Sequence, residues 1–287
     1  MKTYILILLF CLGSITMFAN AIDSLKTKED VVKFMLAKVL DSGWNESNIF
    51  SKESSHQGYY KIDLNNDGLT DLIVVGYSVL FVIDNGNGKF TRSSIDQGTL
   101  LYNEFTDSNI VETHGKKMIV AKGQKMVWSD SSNRKLRKWE ALDTLVFIGN
   151  RPVEYNPKPN PAQMESICFQ LYGCFGDCPV LTLNVHANRT AELFATRFRN
   201  QEGMYSCKLD EAFFKNMETL LSYMKVNTLI PYYSVPWSDA IECTLDLELK
   251  DGTHKEILDY GMIGTYGLQH LYHQLFELCK TGKWNKL

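Results

Sequence analysis

The feature that most constrains this chain is the segment Arg151-Pro-Val-Glu-Tyr-Asn-Pro-Lys-Pro-Asn-Pro161, which holds four of its seven prolines. Proline fixes φ and lacks a backbone N–H, so this spacing excludes a helix or a central strand. It favours an extended, semi-rigid connector instead. The cysteines divide at the same place. Cys11 lies near the N-terminus, and the other six, Cys168, Cys174, Cys178, Cys207, Cys243 and Cys279, all follow the segment. Two units are therefore expected, residues 22–150 and 162–287, joined by a proline-rich linker over 151–161. The length of 287 residues suits two such units, since a domain usually takes about 100–200 residues.

The N-terminus reads as an address. A lysine at position 2 precedes an apolar run from Tyr4 to Phe18, and Ala19-Asn20-Ala21 places small residues at a cut after Ala21. That is the pattern of a signal peptide over residues 1–21, and it implies an exported protein, periplasmic or at the cell surface. No later apolar run approaches membrane-spanning length, so no transmembrane segment is expected once the leader is removed. An oxidising compartment would permit disulfides. The balance of 30 basic and 33 acidic residues leaves a net charge of −3. No cationic surface for a phosphate backbone is implied, and nucleic acid is not expected as a partner.

In the first unit, Thr27-Lys-Glu-Asp30 has the form of a capping box. A helix follows with Val31, Val32, Met35, Leu36, Val39 and Leu40 at helical spacing, and Gly43 suits its C-terminal cap. From Tyr59 onward the pattern changes to short strands: Tyr59–Ile62, Leu72–Val75, Leu80–Ile83, Lys117–Ala121, Lys125–Trp128 and Thr144–Ile148. Asn85-Gly-Asn-Gly88 and Lys122-Gly123 read as hairpin turns. The second unit predicts a hairpin over Pro179–Ala195, a helix capped by Asp210, a hairpin around Asp251-Gly252 and a terminal helix carrying Leu268, Leu271, Tyr272, Leu275, Phe276 and Cys279. The fold class expected is α+β: a small β-rich first domain after one helix, then hairpin, helix, hairpin, helix.

The sharpest chemical signal is Asp63-Leu-Asn65-Asn-Asp67-Gly68-Leu69-Thr-Asp71. Hard cations such as Ca²⁺ take six to eight oxygen ligands. Side-chain oxygens from Asp63, Asn65, Asp67 and Asp71 converge if Gly68 lets the loop turn, and the Leu69 carbonyl adds another. An EF-hand would continue to a glutamate where this chain has Val74, inside an apolar run. The flanking segments are strands, so the loop joins strands. Residues 59–92 resemble a single FG-GAP or VCBS-type repeat, whose Asp-x-Asn-x-Asp-Gly-x-x-Asp loop joins neighbouring strands. That resemblance implies a structural Ca²⁺ on Asp63, Asn65, Asp67, Leu69 and Asp71.

The second signal is Gly173-Cys174-Phe175-Gly176-Asp177-Cys178-Pro179. Three chemistries compete for Cys174 and Cys178. They are a local disulfide, a thiol redox pair with one residue more than the usual Cys-x-x-Cys, and a zinc site needing two further ligands. His270 and His273 are candidates for those ligands, but both fall at the margin of the terminal helix's apolar stripe and are expected at the surface. From about residue 166 to the C-terminus the chain resembles an exported bacterial domain family of unknown function marked by Cys-Phe-Gly-x-Cys-Pro. The resemblance implies a fold unit and no activity.

No G-x-S-x-G elbow, H-E-x-x-H motif or P-loop is present in the sequence, and the six histidines occupy no recognised catalytic frame. No catalytic residue is assigned. The function expected is that of an exported, non-enzymatic, calcium-stabilised protein binding a protein or glycan partner. The alternative is a thiol-redox or metal-binding protein using Cys174 and Cys178.

Overall fold

The computed structural model describes residues 20–50, 58–76, 78–94, 109–113, 115–128, 136–198, 202–235 and 237–287. The expected leader lies outside the described residues up to position 19. Ile22, the first residue after the expected cut, is fully buried. Among the described residues no helix is long and apolar enough to cross a membrane.

The described residues form a β-rich α+β fold built on three sheets. Helix α1 (Lys28–Phe34) starts as its sequence implies: Thr27 Oγ1 accepts the Asp30 N–H, and the Asp30 carboxylate accepts the Thr27 N–H. It runs into a π-turn, Met35–Val39, and ends at Leu40, whose backbone is extended. Gly43, expected as the cap, lies beyond that end. A short helix, α2 (Glu46–Ile49), leads to the first sheet.

That sheet is an antiparallel meander of β1 (Gly58–Ile62), β2 (Asp71–Val75), β3 (Val79–Asp84) and β4 (Phe90–Ser94). Every residue of β2 and β3 is buried, which requires cover on both faces. Leu72, Val74, Leu80 and Val82 pack with α1, and Ile73, Val75, Phe81 and Ile83 pack on the second sheet.

The second sheet is β5 (Ile110–Thr113), β6 (Lys116–Trp128), β7 (Leu136–Ile148) and β8 (Arg151–Glu154), again in sequential order. Lys122-Gly123, expected as a turn, lies inside β6: Gly123 pairs with Ala141 in one uninterrupted ladder with β7. The long partner strand overrides the local turn signal. Pairing likewise claims the first four residues of the expected linker. Arg151–Glu154 form the edge strand β8, where Pro152 removes no inner-ladder bond.

The third sheet has eight strands in the order β13-β15-β14-β9-β10-β11-β12-β16. Its members are β9 (Met164–Tyr172), β10 (Val180–His186), β11 (Thr190–Arg197), β12 (Gly203–Lys208), β13 (Tyr232–Ser234), β14 (Glu242–Leu249), β15 (His254–Tyr260) and β16 (Asn285–Lys286). Helices α3 (Glu211–Tyr223) and α4 (Tyr266–Thr281) cover one face. Asp210 caps α3 as expected, accepting from the Ala212 and Phe213 N–H groups. Both expected hairpins and both helices are present. Strand β9, absent from the expected order, sits at the centre of the sheet between β10 and β14.

Helix α4 lies between the second and third sheets. Leu268, Leu271, Tyr272 and Leu275 join Phe169 and Leu245 in the core of the third sheet. On another side of the helix, a Cβ at Gly267 would lie 3.3 Å from Val153 of β8. Met118, Val146 and Val153 of the second sheet belong to the same apolar cluster as the third sheet. The layers therefore run α1, first sheet, second sheet, α3 and α4, third sheet.

Candidate functional site

Two tight loops carry the residues singled out in the sequence. The acidic loop joins β1 to β2. Gly68 holds φ +86°, a left-handed conformation that glycine adopts freely, and the chain folds back there. Asp63 accepts the N–H groups of Asp67 and Gly68, Asn65 donates its amide to Asp67, and Asp67 accepts the Leu69 N–H. Asp63, Asn65 and Asp67 are thus brought together. Asp71 is not turned into that group. It is fully buried, with Oδ2 accepting the Leu64 N–H at 2.8 Å and Oδ1 the Asp84 N–H at 2.9 Å.

Burial pushes the Asp71 carboxyl up to about 7, against its two backbone hydrogen bonds, and the nearby Asp67 and Asp63 charges add to the rise. Among the described residues, no cluster of three or more His, Cys, Asp and Glu side chains is close enough to hold a metal ion. The donor set fits a hard cation in part. Asp63, Asn65 and Asp67 share one tight turn, while Asp71 stands behind it as a buried carboxyl whose oxygens each accept one backbone N–H.

The cysteine loop joins β9 to β10. Cys174 and Cys178 are disulfide-bonded with Cα atoms 5.4 Å apart. Gly173 enters the loop at φ +91°, and a Cβ there would lie 2.8 Å from Arg197 Nη2. Arg197 in turn donates from Nε to the Cys178 carbonyl at 2.9 Å, tying the far side of the loop to β11. Held at both ends, the loop exposes Phe175, which is 89% accessible. Tyr172, three residues earlier, is also exposed, and its hydroxyl bonds to Gln170 on the uncovered face of the third sheet. The sequence places Phe175 inside the signature but carries no sign of its exposure.

The remaining described cysteines are unreactive in character. Burial pushes the thiols of Cys168, Cys207, Cys243 and Cys279 up, Cys279 to about 12, with the Asp246 charge adding at Cys168. None of the four is poised as a thiolate at neutral pH.

His270 and His273 are not the surface pair expected from the helical stripe. His270 is buried, because the second sheet covers the side of α4 that its apolar pattern leaves out. Burial, with the Arg151 charge, holds His270 down to about 3 and His273 down to about 4.

A cleft of about 430 Å³ opens beside the proline segment, against the C-terminal end of α3. Asn160, Asn227, Thr228, Lys158, Lys225 and Asp251 line it together with apolar side chains such as Leu221 and Met224, so its lining is mixed. Its size lies in the range of small-molecule sites.

Residues 165–279 match a domain of unknown function, DUF6438. The DUF6438 match spans β9 to the last turn of α4, so it takes in the cysteine loop, the uncovered sheet face and both large helices. It assigns no activity to any of them. No curated protein and no solved structure matches the chain.

Proposed function

We propose that this is an exported, non-enzymatic binding protein that recognises a protein or glycan partner through the disulfide-closed loop at Phe175. The observation that carries this reading is an aromatic ring 89% accessible on a loop closed by a disulfide. Exposing a large apolar ring has no folding benefit. Pinning it lowers the entropy lost when it docks, which is how preorganised contacts gain affinity. A disulfide in this position agrees with an oxidising compartment. The mixed cleft beside the proline segment includes amides and hydroxyls of the kind that bind sugar hydroxyls, which supports the glycan arm.

In the same reading, Ca²⁺ braces the acidic loop through Asp63, Asn65, Asp67 and the Leu69 carbonyl, with Asp71 supplying charge from below. Burial is the main cause of the Asp71 rise, and a cation there would offset the Asp67 and Asp63 charges that add to it. Its role is structural.

The binding reading is tested by screening the full-length protein and Phe175→Ala on a glycan array and by crosslinking to surface extracts. A ligand kept by the wild type, and lost both with Phe175→Ala and after reduction, supports it. Identical profiles for the three samples would overturn it. The thiol-redox alternative is separated by titrating the disulfide against a glutathione buffer. Reduction at cytosolic poise with rapid reoxidation favours redox work, and resistance favours a structural bond.

A further inference from the structure

Outside both loops, a small, partly open crevice lies where β4, β8 and α4 meet. It measures about 20 Å³ and is lined by Ser93, Arg151, Pro152, Tyr266, Gln269 and His270, among others. Three of these bring a polar atom that is sealed from solvent and has no hydrogen-bond partner: Ser93 Oγ, Arg151 Nε and His270 Nδ1. Ser93 and His270 are themselves 7% and 5% accessible. Gln274 lies 3.3 Å from His270 Nε2. If its amide donates there, the ring proton is left on Nδ1.

Charge decides what the space holds. Among the described residues Arg151 forms no ion pair. Glu277, whose charge reaches it, is already paired with Lys280 at 2.7 Å. Burial pushes Arg151 down only to about 10, so it stays cationic at neutral pH. A half-buried cation with no directly paired counter-charge is costly, and so is each buried donor without an acceptor. A water molecule can accept hydrogen bonds but cannot neutralise the guanidinium. A space of this size admits one particle of about water's dimensions, smaller than phosphate or sulfate.

We propose that Ser93, Arg151 and His270 bind a single monatomic anion of chloride's size at the junction of the first sheet, the second sheet and α4. The anion accepts from the three orphan donors and fastens the two halves of the chain to each other.

The test uses the full-length protein dialysed free of halide. Thermal unfolding is compared in sodium chloride and sodium gluconate at equal ionic strength. A saturable rise of about 5 °C in chloride is expected well above the dissociation constant. Ser93→Ala and Arg151→Lys should each flatten that rise, and Ser93→Ala is small enough to leave the fold intact. Bromide-soaked crystals should give an anomalous peak beside Ser93 Oγ and Arg151 Nε. Equal midpoints in the two salts, a chloride effect that persists in both variants, or a cavity without bromide would each overturn the proposal.

Discussion

The acidic loop and the cysteine loop solve the same problem by opposite means. Each is a tight connection between antiparallel strands, and each must stop a short stretch of backbone from wandering. The acidic loop is fixed from below by a buried carboxylate that takes two backbone N–H groups. The cysteine loop is fixed from its own flanks by a covalent bond and an arginine on the neighbouring strand. The first ties its polar groups to one another and, through the raised Asp71 carboxyl, is sensitive to protons. The second is held by a bond that does not titrate, and turns an aromatic ring outward. Electrostatic bracing leaves a loop responsive to solution conditions, whereas covalent bracing frees its side chains for contact.

The largest effect expected from breaking this comparison is at Asp71. Asp71→Ala strands the Leu64 and Asp84 N–H groups in the core, and should lower stability by about 4 kcal/mol in urea unfolding. The cysteine loop should stay oxidised throughout. A parallel carboxylate in the second half sharpens the contrast. Asp259 is fully buried, accepts the Ile263 and Gly264 N–H groups, and is pushed up to about 6 by burial. Its folded pKa lies above the unfolded value of about 3.9, so its contribution is fully present below pH 4 and is lost as pH rises through 6. The stability difference between wild type and Asp259→Asn should therefore shrink by roughly 3 kcal/mol between pH 4 and pH 7.

Calcium comes next. At a hundredfold excess over its dissociation constant, Ca²⁺ should add about 2.7 kcal/mol to the chelator-treated protein. Asp67→Ala should abolish the gain, and calorimetry that finds no heat with the wild type would refute the site. Replacing both Cys174 and Cys178 by serine should cost about 2 kcal/mol, the loop entropy of so short a bridge, and leave the calcium response unchanged. The smallest effect is at Phe175. Phe175→Ala should alter stability by no more than about 0.5 kcal/mol, because the ring is exposed, so any loss of binding reports recognition and not folding.

The parts legible in the sequence are those whose causes are local. The Thr27–Asp30 capping box, the Asp210 cap, the apolar runs of β2 and β3 and the Asp251-Gly252 hairpin all depend on residues a few positions apart, whereas spacing alone left three chemistries open for Cys174 and Cys178. Distant partners decide the rest. Lys122-Gly123 is a good turn until β7 pairs across it. His270 is a good surface residue until the second sheet covers that side of α4. The Glu154 carboxylate accepts the Tyr266 and Gly267 N–H groups, more than a hundred positions along the chain, and no spacing rule reaches so far. At the candidate sites, the grouping of Asp63, Asn65 and Asp67 follows from their spacing. The inward turn of Asp71 depends on the neighbouring strand β3, which supplies the second N–H.

Helix α4 is the penultimate element of the chain, yet it completes packing begun much earlier. Tyr266 joins the cluster between the first two sheets, and the second sheet's Val146 and Val153 join the cluster around α4. During synthesis the first 150 residues emerge with that surface uncovered, and it stays so until the last few dozen residues follow. The chain is thus committed to finishing its two halves together. Whatever delays or truncates the C-terminus leaves an apolar sheet face open in the part already made.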